Sequence, residues 1–150
     1  MRTELLMVAA LAFVAGCGSC PHCRRDGEDG ARAAETVVVE GCALRLEAEL
    51  WRDFQPVAPP DGQPMMAVVR LAAEDGASLP AGVSVTRVWF ASEGKQWTPK
   101  PAAGATGNEL HFAGGPKWGP GATADVVVEL ARGKETWRLG AYGVPIKRVD

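Results

Sequence analysis

The feature that most constrains the fold is a strict alternation of apolar and polar residues in residues 43–51. Leucine or alanine stands at every second position from Leu44 to Leu50, and charged residues stand between them. Successive side chains of a β-strand point to opposite faces, so this pattern predicts a strand with one buried face and one face in water. An amphipathic helix is excluded because its apolar residues recur every three or four positions.

Short apolar runs of the same kind recur along the chain, separated by glycine and proline. The 18 glycines and 11 prolines cluster between runs of valine, leucine and aromatic residues, which is typical of strands joined by turns. The runs predicted as strands are residues 36–41, 43–51, 65–73, 83–91, 96–98, 109–113, 122–131 and 136–141, with an extended piece through Val144 and Ile146.

Counting these runs gives about seven or eight short strands, which predicts an all-β domain. We expect an antiparallel two-sheet sandwich of the immunoglobulin-like or a related Greek-key type. A small closed barrel stays open as an alternative, because the number of strands does not distinguish the two architectures.

Two stretches rich in proline and glycine interrupt the strands. Residues 52–64 (RDFQPVAPPDGQP) contain several prolines, and each proline removes a backbone donor and fixes φ, which excludes a helix or a central strand. Residues 114–121 (GGPKWGPG) form a second loop around Trp118. We expect these two loops to be the contact surfaces of the domain.

The amino-terminal residues differ in character from the rest of the chain. Arg2 gives a positive start, and residues 5–15 are apolar and uncharged. A membrane-spanning helix needs about 20 apolar residues, so this run fits the apolar region of a signal peptide instead. The small residues that precede Cys17 are those that a signal peptidase binds, and residues 1–16 are therefore predicted to be a signal peptide.

The four residues Val14-Ala15-Gly16-Cys17 resemble the lipobox of bacterial lipoproteins. The resemblance implies a diacylglyceryl group on the sulfur of Cys17 and an acyl chain on its amino group after cleavage behind Gly16. Two or more chains anchor a protein firmly, since each buried methylene contributes about 0.8 kcal/mol. The resemblance thus implies an exported protein anchored to the cell envelope, and Gly18 favours the outer membrane if the source has two membranes. An ordinary secretory signal that leaves Cys17 as a thiol is the alternative.

The stretch behind the lipobox predicts a flexible tether. Residues 17–35 are polar and almost free of large apolar side chains, so they bury too little surface to offset the entropy lost on ordering. The predicted organisation is a signal peptide in residues 1–16, a lipid-anchored tether in 17–35 and a β-sandwich domain in 36–150. The domain is similar in architecture to lipoproteins that carry an immunoglobulin-like sandwich.

The tether contains the motif Cys20-Pro21-His22-Cys23. As a tetrapeptide it resembles the active-site motif of the DsbA branch of thiol oxidoreductases, in which a histidine and a helix amino terminus lower the pKa of the first cysteine. Those enzymes carry the motif at the start of a helix in an α/β fold. Here the motif precedes a chain of strands, so redox catalysis is an alternative and not the main prediction.

Two further hypotheses concern the cysteines. Of the 4 cysteines, lipidation of Cys17 leaves three, and an oxidising envelope then favours one disulfide and one odd thiol among Cys20, Cys23 and Cys42. The same cysteines together with His22 form a possible soft site for copper(I) or zinc. A structural disulfide is favoured by the compartment.

The chain has 5 tryptophans and 1 tyrosine. Flat aromatic faces pack against sugars and peptide stems, and Trp118 in its loop and Trp51 on the outer face of a strand are the predicted ligand contacts. The remaining tryptophans lie in predicted strands, where aromatic residues more often pack in the core or in cross-strand pairs.

Charge and motif content argue against several function classes. The net charge is -2 with acids and bases interspersed, whereas a nucleic-acid binder has clustered Lys and Arg. The sequence contains no GxSxG, no HExxH and no phosphate-binding glycine loop. His111 and Glu109 are expected together on the solvated face of a short strand.

These observations predict a non-catalytic module for binding or structural support in the cell envelope. Its partners are the membrane, through the lipid anchor, and an envelope protein or a cell-wall component. No cofactor is predicted beyond the diacylglycerol and acyl chain on Cys17. The alternatives are metal or thiol-redox handling at the tether cysteines and cell-wall glycan binding through exposed tryptophan.

Overall fold

The computed structural model describes residues 32–100 and 107–150. These residues form eight β-strands and no helix. The strands are β1 (Thr36–Val39), β2 (Cys42–Asp53), β3 (Met65–Ala73), β4 (Ser84–Ser92), β5 (Lys95–Trp97), β6 (Glu109–Gly115), β7 (Thr123–Arg132) and β8 (Glu135–Val149). The prediction of an all-β domain is confirmed. In the described part of the chain no helix is long and apolar enough to cross a membrane.

The strands form one mixed, strongly curled sheet in the manner of a half-barrel. Their order is β5-β4-β7-β8-β2-β3-β6, and β1 adds to β2. All neighbours pair antiparallel except β2 and β8, which run parallel from Leu50 opposite Ile146 to Asp53 opposite Val149. The sequence predicted antiparallel pairing throughout. Side-chain alternation fixes which face of a strand is buried, but it carries no information on the direction of the neighbouring strand.

The long strand β8 holds the two parts of the sheet together. Its first part pairs with β7 and its last four residues pair with β2. Within the part that pairs with β7, β8 also contacts the chain ahead of β1, where the Gly140 amide donates to the Ala34 carbonyl over 2.8 Å. β1 then pairs with the first residues of β2, so that residues 33–39 cover the gap between β2 and β8.

The core lies inside the curl, between the inner faces of the strands. Leu44, Leu46 and Leu50 are buried on β2 as the alternation predicted, while Ala48 is half-buried. The inward-facing residues of two further strands are also buried: Met65, Ala67, Val69 and Leu71 of β3, and Ala124, Val126, Val128 and Leu130 of β7. Full burial of one such large aliphatic side chain contributes about 1.5–3 kcal/mol, and the core therefore supplies the main stabilisation of the sheet.

Both faces of β4 are covered. Val88 and Phe90 are buried in the core. Trp89 points to the other face and is nevertheless only 4% exposed. The guanidinium groups of Arg87 and Arg138 each lie 5.4 Å from the centre of its ring, a cation–π arrangement that covers an aromatic side chain on an outer face.

An aromatic cluster fills the space between the two ends of the curled sheet. β5 and β6 stand at opposite ends of the strand order. Trp97 of β5 contacts Phe90 with ring centres 5.0 Å apart and Phe112 of β6 with ring centres 6.5 Å apart. A Cβ atom on Gly115 of β6 would lie 2.8 Å from the Trp97 ring. The side chain of Trp97 thus packs directly on the backbone of β6.

Two hairpins have the same tight turn. Glu40-Gly41 joins β1 to β2 with φ angles of 49° and 76°, and Glu93-Gly94 joins β4 to β5 with 49° and 75°. A two-residue turn with positive φ at both positions matches the twist of the flanking strands.

Candidate functional site

The two predicted contact loops lie at the same end of the sheet, and one buried side chain joins them. We call residues 54–64 and 116–122 together the loop end. Arg52, at the close of β2, is 3% exposed. Its Nε donates to the Gln63 carbonyl over 2.9 Å and its Nη2 to the Asp61 carbonyl. Its Nη1 donates to the carbonyls of Lys117 at 3.2 Å and Gly119 at 2.6 Å.

This arrangement satisfies a charge that is costly to bury. A guanidinium removed from water is tolerated only where its N–H groups have acceptors, and four carbonyls from both loops supply them. In the described residues no buried side-chain nitrogen or oxygen lacks a hydrogen-bond partner. Arg52 therefore fixes the two loops relative to each other.

An ion pair on the surface joins the same loops. Lys117 Nζ lies 2.6 Å from Asp61 Oδ2. The hydrogen bond from Lys117 and its positive charge hold the pKa of the Asp61 carboxyl below its usual value, against a smaller opposing effect of desolvation. Both side chains are exposed to water, so the pair adds little to stability. The pair is a second contact between the two loops, beside the bonds of Arg52.

The longer loop is closed by its own hydrogen bonds. The Gln63 amide donates to the Asp53 carbonyl over 2.8 Å at the base of the loop. The Gln55 amide donates to Asp53 Oδ1 over 2.8 Å, and the Ala58 amide donates to the Gln55 carbonyl over 2.7 Å in a turn. With its base closed and its prolines fixed in φ, the loop has few conformations available.

Phe54 packs under this loop. A Cβ atom on Gly62, whose φ is +77°, would lie 2.5 Å from the Phe54 ring, so glycine is required there for two reasons. The guanidinium of Arg52 lies 5.0 Å from the centre of the same ring and that of Arg148 lies 4.1 Å from it. The ring is therefore held between the loop backbone and two cations.

Val57 stands at the tip of this fixed loop. Its side chain is 92% exposed, and Val149 beside Phe54 is 38% exposed. A large apolar side chain presented to water on a rigid loop offers contact area at a low entropic cost of binding. The loop end therefore combines backbone rigidity with an uncovered apolar group.

The two tryptophans predicted as ligand contacts lie in different surroundings. Trp118 is half-buried and packs against the core from the loop end. Trp51 is half-buried on β2, with Met66 and Lys147 opposite it on the neighbouring strands. In the described residues the ring-to-ring contacts involve other aromatic residues, and the two tryptophans do not form a shared stacking surface.

The predicted lipidation and cysteine sites are described only in part. Cys17, Cys20, His22 and Cys23 lie outside the described residues, and so do the signal peptide and most of the tether. Cys42 is half-buried at the start of β2 and packs against the core. Across residues 32–100 and 107–150 no group of three or more His, Cys, Asp and Glu side chains is arranged to hold a metal ion. The disulfide, metal and redox hypotheses stay predictions.

The outer face of β2, β3 and β6 carries a row of charged groups. His111 Nε2 lies 2.7 Å from Glu109 Oε1, and Arg70 bonds the other oxygen of Glu109 through two nitrogens. Hydrogen bonds from Arg70 and then His111 hold the pKa of Glu109 below its usual value. Arg70 and His111 are exposed, as predicted for His111, and Glu109 is half-buried between them. The groups form an ion-pair row on the outer face of the sheet.

Sequence reasoning did not identify Arg52 as an organising residue. One signal was present in the alternation of β2, because position 52 continues the inward register of Leu44, Leu46, Ala48 and Leu50. A charged residue in an inward register needs buried acceptors, and the adjoining loop carbonyls provide them.

Comparison of the chain with models of known protein families, with curated proteins and with solved structures finds no match.

Proposed function

We propose that the chain is an exported lipoprotein, anchored to the cell envelope through a diacylglycerol and an acyl chain on Cys17. The lipobox of residues 14–17 behind an uncharged apolar run supports this proposal. In a bacterium with two membranes, Gly18 after the lipidated cysteine favours the outer membrane.

The domain is proposed to be a non-catalytic module that binds an envelope protein or supports envelope structure, and the loop end is its contact surface. The observation that carries this proposal is the buried Arg52, whose bonds to four carbonyls hold both loops in one arrangement. Loops that are ordered before binding lose less conformational entropy in the complex. The exposed Val57 then supplies the apolar contact.

For the architecture we propose an immunoglobulin-like Greek-key sandwich. The strand order supports it, because it divides into two groups of neighbouring strands. β5, β4, β7 and β8 would form one sheet of the sandwich, and β2, β3 and β6 would form the other. β5 and β6 at the two ends meet through aromatic side chains, and this favours a sandwich over a closed barrel.

The anchor is tested by the intact mass of the protein isolated from membranes. We expect a mass increase corresponding to lipid in the wild-type chain and its loss in Cys17→Ser, together with release of the variant from the membrane fraction. Alkylation with and without reduction of the same sample reports how the other three cysteines are paired. An unlipidated wild-type chain would exclude the anchor.

The contact surface is tested by crosslinking in intact cells. We expect an envelope component to be captured by the wild-type protein and lost with Val57→Asp. Ser78→Asp is the matched control, because Ser78 is also exposed but lies in the loop between β3 and β4. Equal capture by both variants would mean that the loop end is not the contact surface.

A second candidate is recognition of a cell-wall glycan through Trp118. The bonds of Arg52 to the carbonyls of Lys117 and Gly119 fix the backbone on both sides of this tryptophan. Titration with cell-wall fragments is expected to change the tryptophan fluorescence of the wild-type protein and of Trp51→Phe, but not of Trp118→Phe. Unchanged wild-type fluorescence across the fragments would reject this candidate.

A further inference from the structure

Two guanidinium groups flank one carboxylate on the outer face of the sheet. Arg87 of β4 stands opposite Glu129 of β7, and Glu129 stands opposite Arg138 of β8. The three residues therefore form one row across three neighbouring strands. Residues opposite each other in an antiparallel pair have Cβ atoms about 4.5–5.5 Å apart, so the row holds two positive charges and one negative charge close together.

The carboxylate of this row forms its hydrogen bond with a different side chain. Glu129 Oε1 accepts from the Thr86 hydroxyl over 3.1 Å. Glu129 Oε2 lies 3.9 Å from Arg138 Nε, which is an ion pair but is longer than a hydrogen bond. Arg87 belongs to none of the ion pairs within residues 32–100 and 107–150. The row thus has an excess of positive charge.

Arg87 and Arg138 differ from the other described arginines in their hydrogen bonds. The structure describes eight arginines. Six of them donate to carboxylates or backbone carbonyls of the described chain: Arg32, Arg45, Arg52, Arg70, Arg132 and Arg148. Arg87 and Arg138 are the two that donate to no described acceptor. Each guanidinium group has five donors in a planar fork, and these two forks stand in the same row.

The ring of Trp89 holds both guanidinium groups in place. Trp89 lies on the same face of β4 as Arg87, and the guanidinium carbons of Arg87 and Arg138 are each 5.4 Å from the centre of its ring. Guanidinium groups stack on aromatic faces, and the stacking limits the conformations of both side chains. Side chains that are ordered before binding lose less entropy in a complex.

An apolar surface lies beside the two arginines. Val127 stands opposite Trp89, and Gly140 stands opposite Val127. A Cβ atom on Gly140 would lie 2.6 Å from the Tyr142 hydroxyl oxygen, so the side chain of Tyr142 covers Gly140. The Tyr142 hydroxyl donates to the Ala33 carbonyl over 2.7 Å, which fixes its position. Val127 and Tyr142 are half-buried and keep part of their surface open to a partner.

We propose that Arg87, Arg138, Val127 and Tyr142 form a docking surface, the arginine face, for an acidic peptide segment of a partner protein. Carboxylates of the segment pair with the two guanidinium groups in the bidentate geometry that matches both forks. An apolar side chain of the segment packs on Val127 and Tyr142. The arginine face includes no residue of the loop end, so it is a second contact surface of the domain.

The spacing of the two arginines fits an extended segment. β4 and β8 are separated by β7, and two strand spacings amount to about 10 Å. Two carboxylates on one face of an extended peptide are about 7 Å apart, because side chains alternate between faces every 3.3 Å or so. Arginine side chains are long enough to bridge this difference, and Trp89 draws both of them toward one ring.

The proposal is tested by fluorescence anisotropy with a labelled peptide that repeats Glu-Ser-Glu-Ser-Leu. The full-length protein in detergent is expected to bind this peptide, and rising salt is expected to weaken the binding. A peptide that repeats Gln-Ser-Gln-Ser-Leu is expected not to bind. Arg87→Gln and Arg138→Gln are each expected to weaken the binding roughly tenfold. A wild-type protein that does not bind the acidic peptide would overturn the proposal.

Two arginines on the other outer face supply the matched control. Arg45 and Arg70 are exposed and form ion pairs with Glu47 and Glu109. A double variant with Arg45→Gln and Arg70→Gln changes the net charge as much as the double variant of the arginine face does. We expect it to bind almost as tightly as the wild type. Equal weakening by the two double variants would mean that net charge alone attracts the peptide, and it would overturn the proposal.

Variants of Trp89 test its positioning role. Trp89→Phe keeps an aromatic face for the guanidinium groups, and we expect binding close to that of the wild type. Trp89→Leu fills the position with an apolar side chain but removes the ring, and we expect binding to weaken roughly tenfold. Urea denaturation of both variants confirms that each is folded before its affinity is compared. Equal affinities of the two folded variants would contradict the positioning role.

Competitors distinguish a peptide from other anions. Inorganic phosphate and polygalacturonate are each added at an ionic strength matched with sodium chloride. We expect both to displace the acidic peptide no more than chloride does, because neither carries an apolar side chain for Val127 and Tyr142. Specific displacement by phosphate would indicate a small-anion site, and displacement by polygalacturonate a polysaccharide site. Either result would overturn the assignment to a peptide.

Discussion

Arg52 is a charged residue in an apolar register, and its neighbours explain why the position accepts it. Leu50 and Ile146 pack in the core beside it, while the carbonyls of two loops surround the guanidinium group. A planar group with five donors satisfies several acceptors at once, which a lysine ammonium group does not do in the same geometry.

Replacement of this residue is expected to release both loops. Arg52→Met leaves buried carbonyl groups without donors, and we expect the free energy of unfolding in urea to fall by about 3–5 kcal/mol. Arg52→Lys is expected to recover part of the loss. Arg45→Met is the control, because Arg45 lies on the same strand, is exposed and bonds to Glu47, and its effect is expected to stay within about 0.5 kcal/mol. A small effect of Arg52→Met would show that the loops hold their arrangement without the guanidinium group.

The carboxyl group of Asp61 gives a prediction for pH dependence. Its pKa is held below the usual value mainly by the hydrogen bond from Lys117, so folding favours the ionised form. The stability from this pair is present above the unfolded-state pKa and is lost as the pH falls through the lower folded-state pKa. We expect an NMR titration of Lys117→Met to show the pKa of Asp61 returning toward its usual value. An unchanged titration would mean that the pair is absent in solution.

Sequence reasoning found the loops but not the residue that joins them. The prolines of residues 52–64 predicted a loop because proline acts through its own backbone. The role of Arg52 depends on the carbonyls of Lys117 and Gly119, far along the chain. Sequence alternation places the side chain of Arg52 inward, but it does not reveal which acceptors lie there.

Trp97 of β5 and Gly115 of β6 form the contact between the two ends of the curled sheet. The indole ring occupies the space that a side chain on Gly115 would need, and Phe90 and Phe112 complete the cluster. Edge-to-face and tilted aromatic pairs contribute beyond the area that they bury. This cluster closes the core at a place where no described hydrogen-bonded ladder joins β5 and β6.

A double-mutant cycle tests this contact. Gly115→Ala forces a methyl group against Trp97, and we expect the free energy of unfolding to fall by about 1–3 kcal/mol. In a Trp97→Ala background the same change is expected to cost clearly less, because the ring that it meets is gone. Urea denaturation of the four proteins gives the coupling energy. Equal costs in both backgrounds would place the strain elsewhere, for instance at the Met65 carbonyl 3.1 Å away.

Strands were predicted well where their pattern is local. In β2, β3 and β7 buried and exposed side chains alternate along the strand. The same alternation of apolar and polar residues is visible in a few consecutive residues of the sequence. The parallel pairing of β2 with β8 and the contact of Trp97 with Gly115 join residues distant in sequence. Such pairings depend on how the whole sheet curls, and a single sequence does not encode them in any short window.

The molecule as a whole has its most protected strands in the middle of the sheet. β7 lies between β4 and β8 in the strand order, and Val126, Val128 and Leu130 are each 0% exposed. β5 has three residues and stands at one end of the order. Amides of a central strand exchange only on large-scale opening, while those of a short edge strand exchange by local fraying.

Hydrogen exchange is therefore expected to follow the strand order. Amides of β7 should be slowest and those of β5 and β1 fastest, and the difference should persist at every pH at which the fold is intact. Exchange measured by mass spectrometry or NMR gives the ranking. Protection of β5 equal to that of β7 would mean that the sheet is closed in solution by further pairing at β5.

The parallel pair of β2 and β8 has a practical consequence for protein engineering. Because both strands run in the same direction, the end of β8 lies beside the start of the longer loop. There the Phe54 amide donates a hydrogen bond to the Val149 carbonyl over 2.7 Å, and Asp150 follows directly. A tag, fluorescent reporter or linker joined to Asp150 is thus placed next to Phe54 at the base of the longer loop. Affinity purification through such a tag would obstruct the surface under study, and a reporter inserted in the exposed turn at residues 133–134 would leave it open.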